Sequence, residues 1–133
     1  MLYGKEHVER YRATDGEEGH DWEGTQVAIL TTTGRRSGVQ RPTPLIYGEA
    51  GDRYMVVASD GGADSPPSWY LNLQADPEAE LQVKGDRFKV RGRDATPEER
   101  PELWKQMTSQ WPAYDQYQTR TDRQIQVVVL ERA

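Results

Sequence analysis

The stretch QVAILTTTGRRSG, residues 26–38, places β-branched and apolar residues directly before a turn that carries two adjacent arginines. Valine, isoleucine and threonine favour strands, so we predict a strand that ends at Gly34. TPLIYGE and RYMVVAS follow as two further strand-like runs, joined by the hairpin signal EAGD. Because short turns connect these runs, the strands are predicted to pair antiparallel.

Two helices are predicted after the third strand. PSWYLNLQAD follows Asp64 and Ser65, either of which can cap a helix. ATPEERPELWKQMTSQ begins with a capping box, in which Thr96 and Glu99 satisfy each other's backbone N–H groups. The stretch WPAYDQYQTRTDR is predicted to be short and irregular or helical.

Three more strands complete the predicted fold. AELQVKG and DRFKVRGRDA alternate polar and apolar residues around Gly85 and Asp86, which is typical of a hairpin. RQIQVVVLER is the last strand. The order β-β-β-α-β-β-α-β predicts a mainly β (α+β) protein with about six antiparallel strands and two or three helices. A small closed or split barrel fits this order better than a doubly wound sheet.

Length, charge and composition exclude several kinds of site and partner. The chain has 133 residues, enough for one domain. Its net charge of -5 argues against binding along a nucleic-acid backbone. The absence of cysteine excludes disulfides, thiolate metal sites and cysteine nucleophiles. Because the sequence has no long apolar run, it predicts no membrane span. We expect a cytoplasmic protein.

We predict that residues 1–24 form an N-terminal arm or short helix and that residues 25–133 form a single barrel domain. Val8 and Tyr11 are three residues apart, which favours a short amphipathic helix near residues 5–13. Two interpretations of this arm stay open. It is either a partly ordered terminus or a cover for a substrate pocket.

The arginine turn is the first candidate site. Backbone N–H groups of a glycine-flanked turn can bind an anion, and Arg35 and Arg36 can add charge-assisted hydrogen bonds. Arg41 follows on the next strand and can complete the cluster. Adjacent side chains on a turn can diverge, so an ordinary solvated turn is the alternative.

Aromatic residues supply the second group of candidates. Trp69 lies on the first predicted helix, and Trp111, Tyr114 and Tyr117 share a three-residue spacing. Such a stripe is typical of a core. The stretch around the two tyrosines is otherwise polar, however, and a tyrosine hydroxyl can donate a proton. A pocket wall is therefore the second interpretation.

Several other kinds of site are not indicated. His7 and His20 do not have the spacing of a metal or triad site. The sequence contains neither a GxSxG elbow nor a GxGxxG fingerprint after a strand. We therefore expect no metal and no Rossmann-type cofactor site.

Two longer runs, ILTTTGRRSGVQRPTPLIY and YMVVASDGGADSPPSWYLNLQADP, resemble the deazaflavin-dependent nitroreductase family of actinobacteria. YRATDGEEGHDWEG and YDQYQTRTDRQIQVVVLE fit the same pattern, so the resemblance covers about residues 7–131. TTTGR[RK]SG followed by GG…P.WY.NL is specific because both occur in this order.

The resemblance implies a split β-barrel of the flavin-reductase type and the cofactor coenzyme F420. This cofactor is an 8-hydroxy-5-deazaflavin with a phosphate and a polyglutamate tail. The implied reaction is hydride transfer from reduced F420 to a small-molecule acceptor: a quinone, a nitroaromatic or an activated unsaturated compound. A quinone acceptor would allow contact with a membrane surface. The oligomeric state stays open.

The resemblance also assigns residues. Those expected to hold the anionic part of the cofactor are Arg35, Arg36, Ser37 and Arg41. Those expected against the deazaflavin are Pro44, Ala58, Ser59 and Trp69. Tyr114 and Tyr117 are expected on the substrate side as catalytic residues that donate a proton or stabilise an oxyanion.

Two positions depart from the pattern. Asp60 stands where relatives often have a basic residue, which puts one contact with the anionic tail in doubt. Trp111 stands where some relatives have tyrosine, which removes one hydroxyl donor.

Three alternative functions stay open. The barrel could hold flavin mononucleotide (FMN) instead of F420. The chain could be a non-catalytic F420 carrier. It could also be a small nucleic-acid-binding barrel, which the net charge disfavours.

Overall fold

The structure is a computed structural model that describes residues 2–133. Met1, the first residue of the predicted arm, lies outside the described residues. The elements in chain order are α1 (Gly4–Ala13), β1 (Asp21–Trp22), β2 (Thr25–Thr33), β3 (Gln40–Ile46), β4 (Gly48–Ala50), β5 (Arg53–Val57), α2 (Ser68–Ala75), β6 (Glu78–Val83), β7 (Asp86–Asp94), α3 (Arg100–Gln110), α4 (Ala113–Gln118) and β8 (Val127–Arg132). A short 3-10 turn covers Asp60–Gly62.

The strands form one antiparallel sheet in the order β1-β2-β6-β7-β8-β5-β4, and β3 pairs with β2. The mainly β architecture predicted from the sequence is confirmed. The strand count is higher than the six expected, because residues 2–133 contain eight strands. β1 is a two-residue addition. The run TPLIYGE, predicted as one strand, is divided at Tyr47 between β3 and β4.

The division at Tyr47 marks a corner of the sheet. β3 pairs with β2, whereas β4 pairs with β5. The Tyr47 side chain is buried, and its backbone N–H donates to the Gln26 carbonyl at 3.0 Å. One apolar run therefore supplies two strands, each of which pairs with a different neighbour.

Both α2 and α3 begin later in the sequence than predicted. Asp64 and Ser65 do not cap α2, which begins at Ser68 without a side-chain cap. Proline disfavours helical backbone in the residue before it, so Pro66 and Pro67 delay the start. α3 begins at Arg100, with Glu99 at its N-cap, rather than directly after Thr96. The reciprocal Thr96–Glu99 hydrogen bonds of the predicted capping box are nevertheless present. Thr96 N–H donates to Glu99 Oε1 at 2.9 Å, and Glu99 N–H donates to Thr96 Oγ1 at 3.3 Å.

Buried residues cover both faces of β2, as its lack of polar alternation indicates. Ala28 and Leu30 belong to the cluster that fills the half-barrel. Val27 and Ile29 pack on the other face against α1. The hydroxyl of Tyr11 in α1 accepts a 2.7 Å hydrogen bond from the backbone N–H of Lys84. These contacts fix α1 against the sheet.

Candidate active site

A cationic pocket of about 490 Å³ lies between the β2–β3 turn and the start of α2. The turn contributes the predicted residues Arg35, Arg36 and Ser37, and Arg41 comes from β3. The structure therefore brings together all four residues expected to hold an anion.

The two turn arginines have different roles. The Arg35 guanidinium donates to Asn72 Oδ1 at 2.9 Å and contacts the Ser68 carbonyl at 3.4 Å. The side chains of Arg36 and Arg41 are exposed and make no hydrogen bond or ion pair with residues 2–133. Arg35 thus ties the turn to α2, and the other two arginines keep their donors available.

The backbone of the turn also offers donors. The N–H groups of Gly34, Arg35, Gly38 and Val39 are satisfied within the protein. Within the described chain, those of Arg36 and Ser37 have no acceptor. Two adjacent free N–H groups, close in sequence to the arginine side chains of the same pocket, can bind an anion.

A second cleft, of about 510 Å³, lies beside the cationic pocket and is largely aromatic and apolar. The predicted site residues in its lining are Pro44, Ser59, Trp69, Tyr114 and Tyr117. They come from β3, the segment after β5, α2 and α4, so the curled sheet assembles residues that are distant in sequence. We call this space the aromatic cleft.

Thr43 and Trp69 line both the cationic pocket and the aromatic cleft. Trp69 is 7% exposed, so its ring is held by the core rather than free in solvent. The two spaces are therefore neighbours on either side of these side chains. Together they can take an elongated ligand with an anionic end and a flat apolar end.

The two tyrosines pack edge to face, with ring centroids 6.1 Å apart. Tyr114 is buried, and burial, followed by the neighbouring Tyr117, raises the pKa of its phenol. The Tyr117 hydroxyl accepts a 3.4 Å hydrogen bond from the indole N–H of Trp111. An indole N–H can only donate, so the Tyr117 proton stays available to another acceptor.

The sequence interpretation did not assign the N-terminal wall of the cleft. Tyr3, His7 and Trp22 belong to its lining, and Trp22 packs on Trp111 with centroids 5.7 Å apart. Tyr3 packs edge to face on Trp22 at 5.8 Å. The signal that could have found them is the presence of aromatic residues in an otherwise polar arm. Of the two interpretations of the arm, the pocket cover fits this placement.

The loop after β5 places its residues differently. Ala58, expected against the cofactor, is fully buried and belongs to the lining of neither space. Asp60 lines the aromatic cleft and not the cationic pocket. The carboxylate is therefore not among the groups around the three arginines.

Gly62 allows the loop backbone to approach α4 closely. A Cβ at this position would lie 2.5 Å from the Tyr117 carbonyl oxygen. The glycine thus lets the loop pack directly on α4. In the described part of the chain, no group of three or more His, Cys, Asp or Glu residues could hold a metal ion. No helix in that part is long and apolar enough to cross a membrane.

Comparison with known proteins places this site in a family. The family model for F420H(2)-dependent quinone reductase matches residues 3–132. The chain is 41% identical over 128 residues to an F420H(2)-dependent quinone reductase of Mycobacterium tuberculosis, covering 92% of this chain and 85% of the relative.

Solved structures agree. An F420-H2 dependent reductase superimposes with a TM-score of 0.73 at 39% identity, covering 79% of this chain and 93% of the other. A structure described as a domain-swapped dimer superimposes with a TM-score of 0.77 at 37% identity, covering 96% of both chains. The predicted split-barrel fold, F420 cofactor and reductase activity are confirmed. The chain belongs to the F420H(2)-dependent quinone reductase family, and it is an oxidoreductase that uses reduced coenzyme F420.

Proposed function

We propose that this chain reduces quinones in the aromatic cleft, with the anionic tail of F420 held by the arginine turn. The observation that carries the proposal is the shared wall of Thr43 and Trp69 between the cationic pocket and the aromatic cleft. A cofactor with a flat ring and a charged tail needs these two environments side by side.

The donors around the cationic pocket fit the tail. Arg36 and Arg41 supply charge without a competing carboxylate in the lining, and the free N–H groups of Arg36 and Ser37 add neutral donors. Guanidinium groups bind phosphates and carboxylates through charge-assisted hydrogen bonds. Arg35 contributes through position, because its bond to Asn72 fixes the turn.

The aromatic cleft fits a flat ring and a flat acceptor. Pro44 and Trp69 offer apolar surfaces, and Tyr114, Tyr117 and Trp111 face the same space. The bound cofactor would supply a hydride, which is a hydrogen transferred together with its bonding pair of electrons. The protein orients the reactants and limits the access of water.

Tyr117 is the side chain that we assign to stabilising negative charge on the acceptor oxygen. Its hydroxyl oxygen is engaged by Trp111, which leaves the hydroxyl proton free to donate. Tyr114 is more deeply buried and packs edge to face against the Tyr117 ring, which helps to hold that ring in place. Donors placed where charge develops lower the barrier of the reaction.

The acceptor class extends from quinones to nitroaromatics and activated unsaturated compounds, since each is flat and gains negative charge on reduction. A lipid-soluble quinone would bring the protein to a membrane surface. Leu2 and Tyr3 belong to the lining of the aromatic cleft, and Tyr3 is exposed, so these two residues would contact the lipid. This contact is part of the proposal.

The experiment compares cofactors and then acceptors. F420 should quench the fluorescence of the four tryptophans, since Trp69 lies between both spaces. FMN should quench it weakly or at much higher concentration. Reduced F420 should then be oxidised when menadione, a naphthoquinone, is added. Tight FMN binding without F420 binding would contradict the assignment of the tail to the arginine turn. F420 binding without turnover would contradict the quinone assignment.

A further inference from the structure

His7 is a buried titratable group in the wall of the aromatic cleft. It lies on the inner face of α1 and is 4% exposed, and its ring packs against Trp22 with centroids 6.3 Å apart. The same lining includes Trp111 and Tyr117. An imidazole in this position can exchange a proton with a molecule in the cleft.

One ring nitrogen of His7 is fixed by the backbone. Nε2 lies 2.8 Å from the carbonyl oxygen of Gly19, and a carbonyl oxygen can only accept, so Nε2 carries a hydrogen. Val8 packs in the cluster beneath α1, and Tyr11 bonds to the backbone of Lys84. The helix therefore holds the ring in one orientation.

The other nitrogen, Nδ1, has no hydrogen-bond partner among residues 2–133. Three buried side-chain atoms of the described chain have neither solvent contact nor a hydrogen-bond partner: Arg12 Nε, Gln82 Oε1 and Arg100 Nε. His7 Nδ1 is not one of them, so it keeps some contact with solvent. Because Nδ1 keeps some exposure and His7 belongs to the lining of the aromatic cleft, we take Nδ1 as the atom through which His7 meets the cleft.

We propose that His7 donates the proton that completes quinone reduction, through Nδ1. The proposal rests on the proposed function, because it needs the acceptor in the aromatic cleft. In the imidazolium form both nitrogens carry hydrogen. Nε2–H stays on Gly19, and Nδ1–H points to the acceptor.

The step balances with one hydride and one proton. Reduced F420 would be oxidised as it gives up a hydride, which carries both electrons of the bond that breaks. The hydride forms an O–H bond at one quinone oxygen and leaves a hydroquinone monoanion, with one O–H and one O⁻. The N–H bond at Nδ1 breaks, an O–H bond forms at the O⁻, and neutral hydroquinone results. His7 becomes neutral and regains its proton from water. Tyr117 stabilises the monoanion before this transfer.

The other ionisable groups near His7 are few. Tyr3, Asp60, Tyr114 and Tyr117 share the lining of the aromatic cleft within the described chain. The two residues that flank Gly19 are also ionisable. Glu18 pairs with Arg10. His20 contacts Tyr47 and Asp21. Burial raises the pKa of Tyr114, so its phenol does not lose its proton in the neutral range.

The test compares His7→Gln with a matched control, His20→Gln. A glutamine amide nitrogen can take the place of Nε2 and keep the bond to Gly19, but it has no group at Nδ1. With menadione, the kcat of the unaltered protein should fall as the pH rises, because the proposed step consumes a proton. His7→Gln should lower kcat by about 10²-fold at low pH and flatten this profile. F420 affinity should be unchanged in both variants, and His20→Gln should keep the pH profile.

A second readout needs no turnover. In the cofactor-free protein, long-range ¹H–¹⁵N NMR should find the neutral His7 ring protonated at Nε2, and saturating menadione should shift its Nδ1 signal while leaving His20 in place. An active His7→Gln enzyme with the unaltered pH profile, or a His7 signal that ignores menadione, would overturn the role of His7. A protein that binds F420 but reduces no quinone would instead overturn the proposed function, and the NMR result would still decide whether His7 meets the acceptor.

Discussion

Asn72 and Arg35 are 37 positions apart in the chain, and a single oxygen joins them. Asn72 Oδ1 accepts from the Arg35 backbone N–H at 3.2 Å and from its guanidinium at 2.9 Å. The Asn72 amide also donates to Thr32 Oγ1 at 3.2 Å. This buried amide therefore connects β2, the arginine turn and α2, and it fixes the position of the turn relative to Trp69 on the same helix.

We expect Asn72→Ala to lower the free energy of unfolding by about 2 kcal/mol, because it leaves the backbone N–H of Arg35 without its acceptor. Urea denaturation measures the loss. Glu102→Ala, which removes an exposed side chain on α3, is the control and should change stability little. Equal stability of the two variants would mean that Asn72 does not anchor the turn.

Arg36→Ala should weaken F420 binding rather than the chemical step. The guanidinium has no partner within the described chain, so its removal leaves the fold intact. The dissociation constant should rise roughly tenfold at low ionic strength and less at high salt, because salt screens exposed charges. Arg91→Ala makes the same charge change on β7 and is the control. A rise equal to that of Arg91→Ala at every salt concentration would refute the anion-binding role.

Tyr117→Phe should lower kcat with menadione by roughly 10²-fold and leave F420 affinity unchanged. The reason is the loss of the hydroxyl proton that Trp111 leaves free. Stopped-flow oxidation of reduced F420 measures the rate. Tyr54→Phe removes a hydroxyl from a half-buried ring on β5 outside the site and should keep the full rate. Unchanged turnover with every acceptor would remove Tyr117 from the mechanism.

Gly62→Ala should disturb the position of α4. Gly61 and Gly62 both have positive φ, at 64° and 88°, so alanine is strained at either position. At Gly61 an added Cβ meets nothing within 4 Å, whereas at Gly62 it meets the Tyr117 backbone. We expect Gly62→Ala to be less stable than Gly61→Ala by about 1–3 kcal/mol. Thermal unfolding compares the two, and equal losses would contradict the contact with α4.

We expect the ionised Glu99 carboxylate to stabilise the fold at neutral pH and to lose this effect in acid. Hydrogen bonds from Arg93, from the Thr96 backbone and from Arg53 lower the pKa of the Glu99 carboxyl to about 2. A lowered pKa in the folded state means that the stabilisation is complete above the unfolded pKa near 4.5 and is lost as pH falls towards 2.

Glu99→Gln should therefore cost about 1 kcal/mol at pH 7. The difference from the unaltered protein should shrink as the pH falls from 4.5 towards 2. Urea denaturation at several pH values measures this, and Glu98→Gln, at an exposed neighbouring carboxylate, is the control. A difference that stays constant with pH would exclude ionised Glu99 as the cause.

Local patterns predicted most of the fold. The β-branched run of β2 and the Thr96–Glu99 capping box depend on neighbours within a few residues, and both are present. The start of α2 was wrong because two prolines outweighed the capping side chains. The corner at Tyr47 depends on which strands β3 and β4 pair with, which a single apolar run does not reveal.

The site was less predictable than the fold. The arginine turn is contiguous, so its residues could be named from the sequence. The contact of Trp22 with Trp111, and the bond of Asn72 to Arg35, join segments that only the curled sheet brings together. No periodicity within either segment encodes these contacts. The roles of the individual site residues stay predictions until the variants are measured.

The N-terminal wall has a consequence for how this enzyme can diversify. Residues between Leu2 and Trp22 contribute to the lining of the aromatic cleft, but none of them belongs to the lining of the cationic pocket. This stretch therefore shapes one wall of the aromatic cleft without contributing to the cationic pocket. Mutations within it can alter that wall while the lining of the cationic pocket stays unchanged.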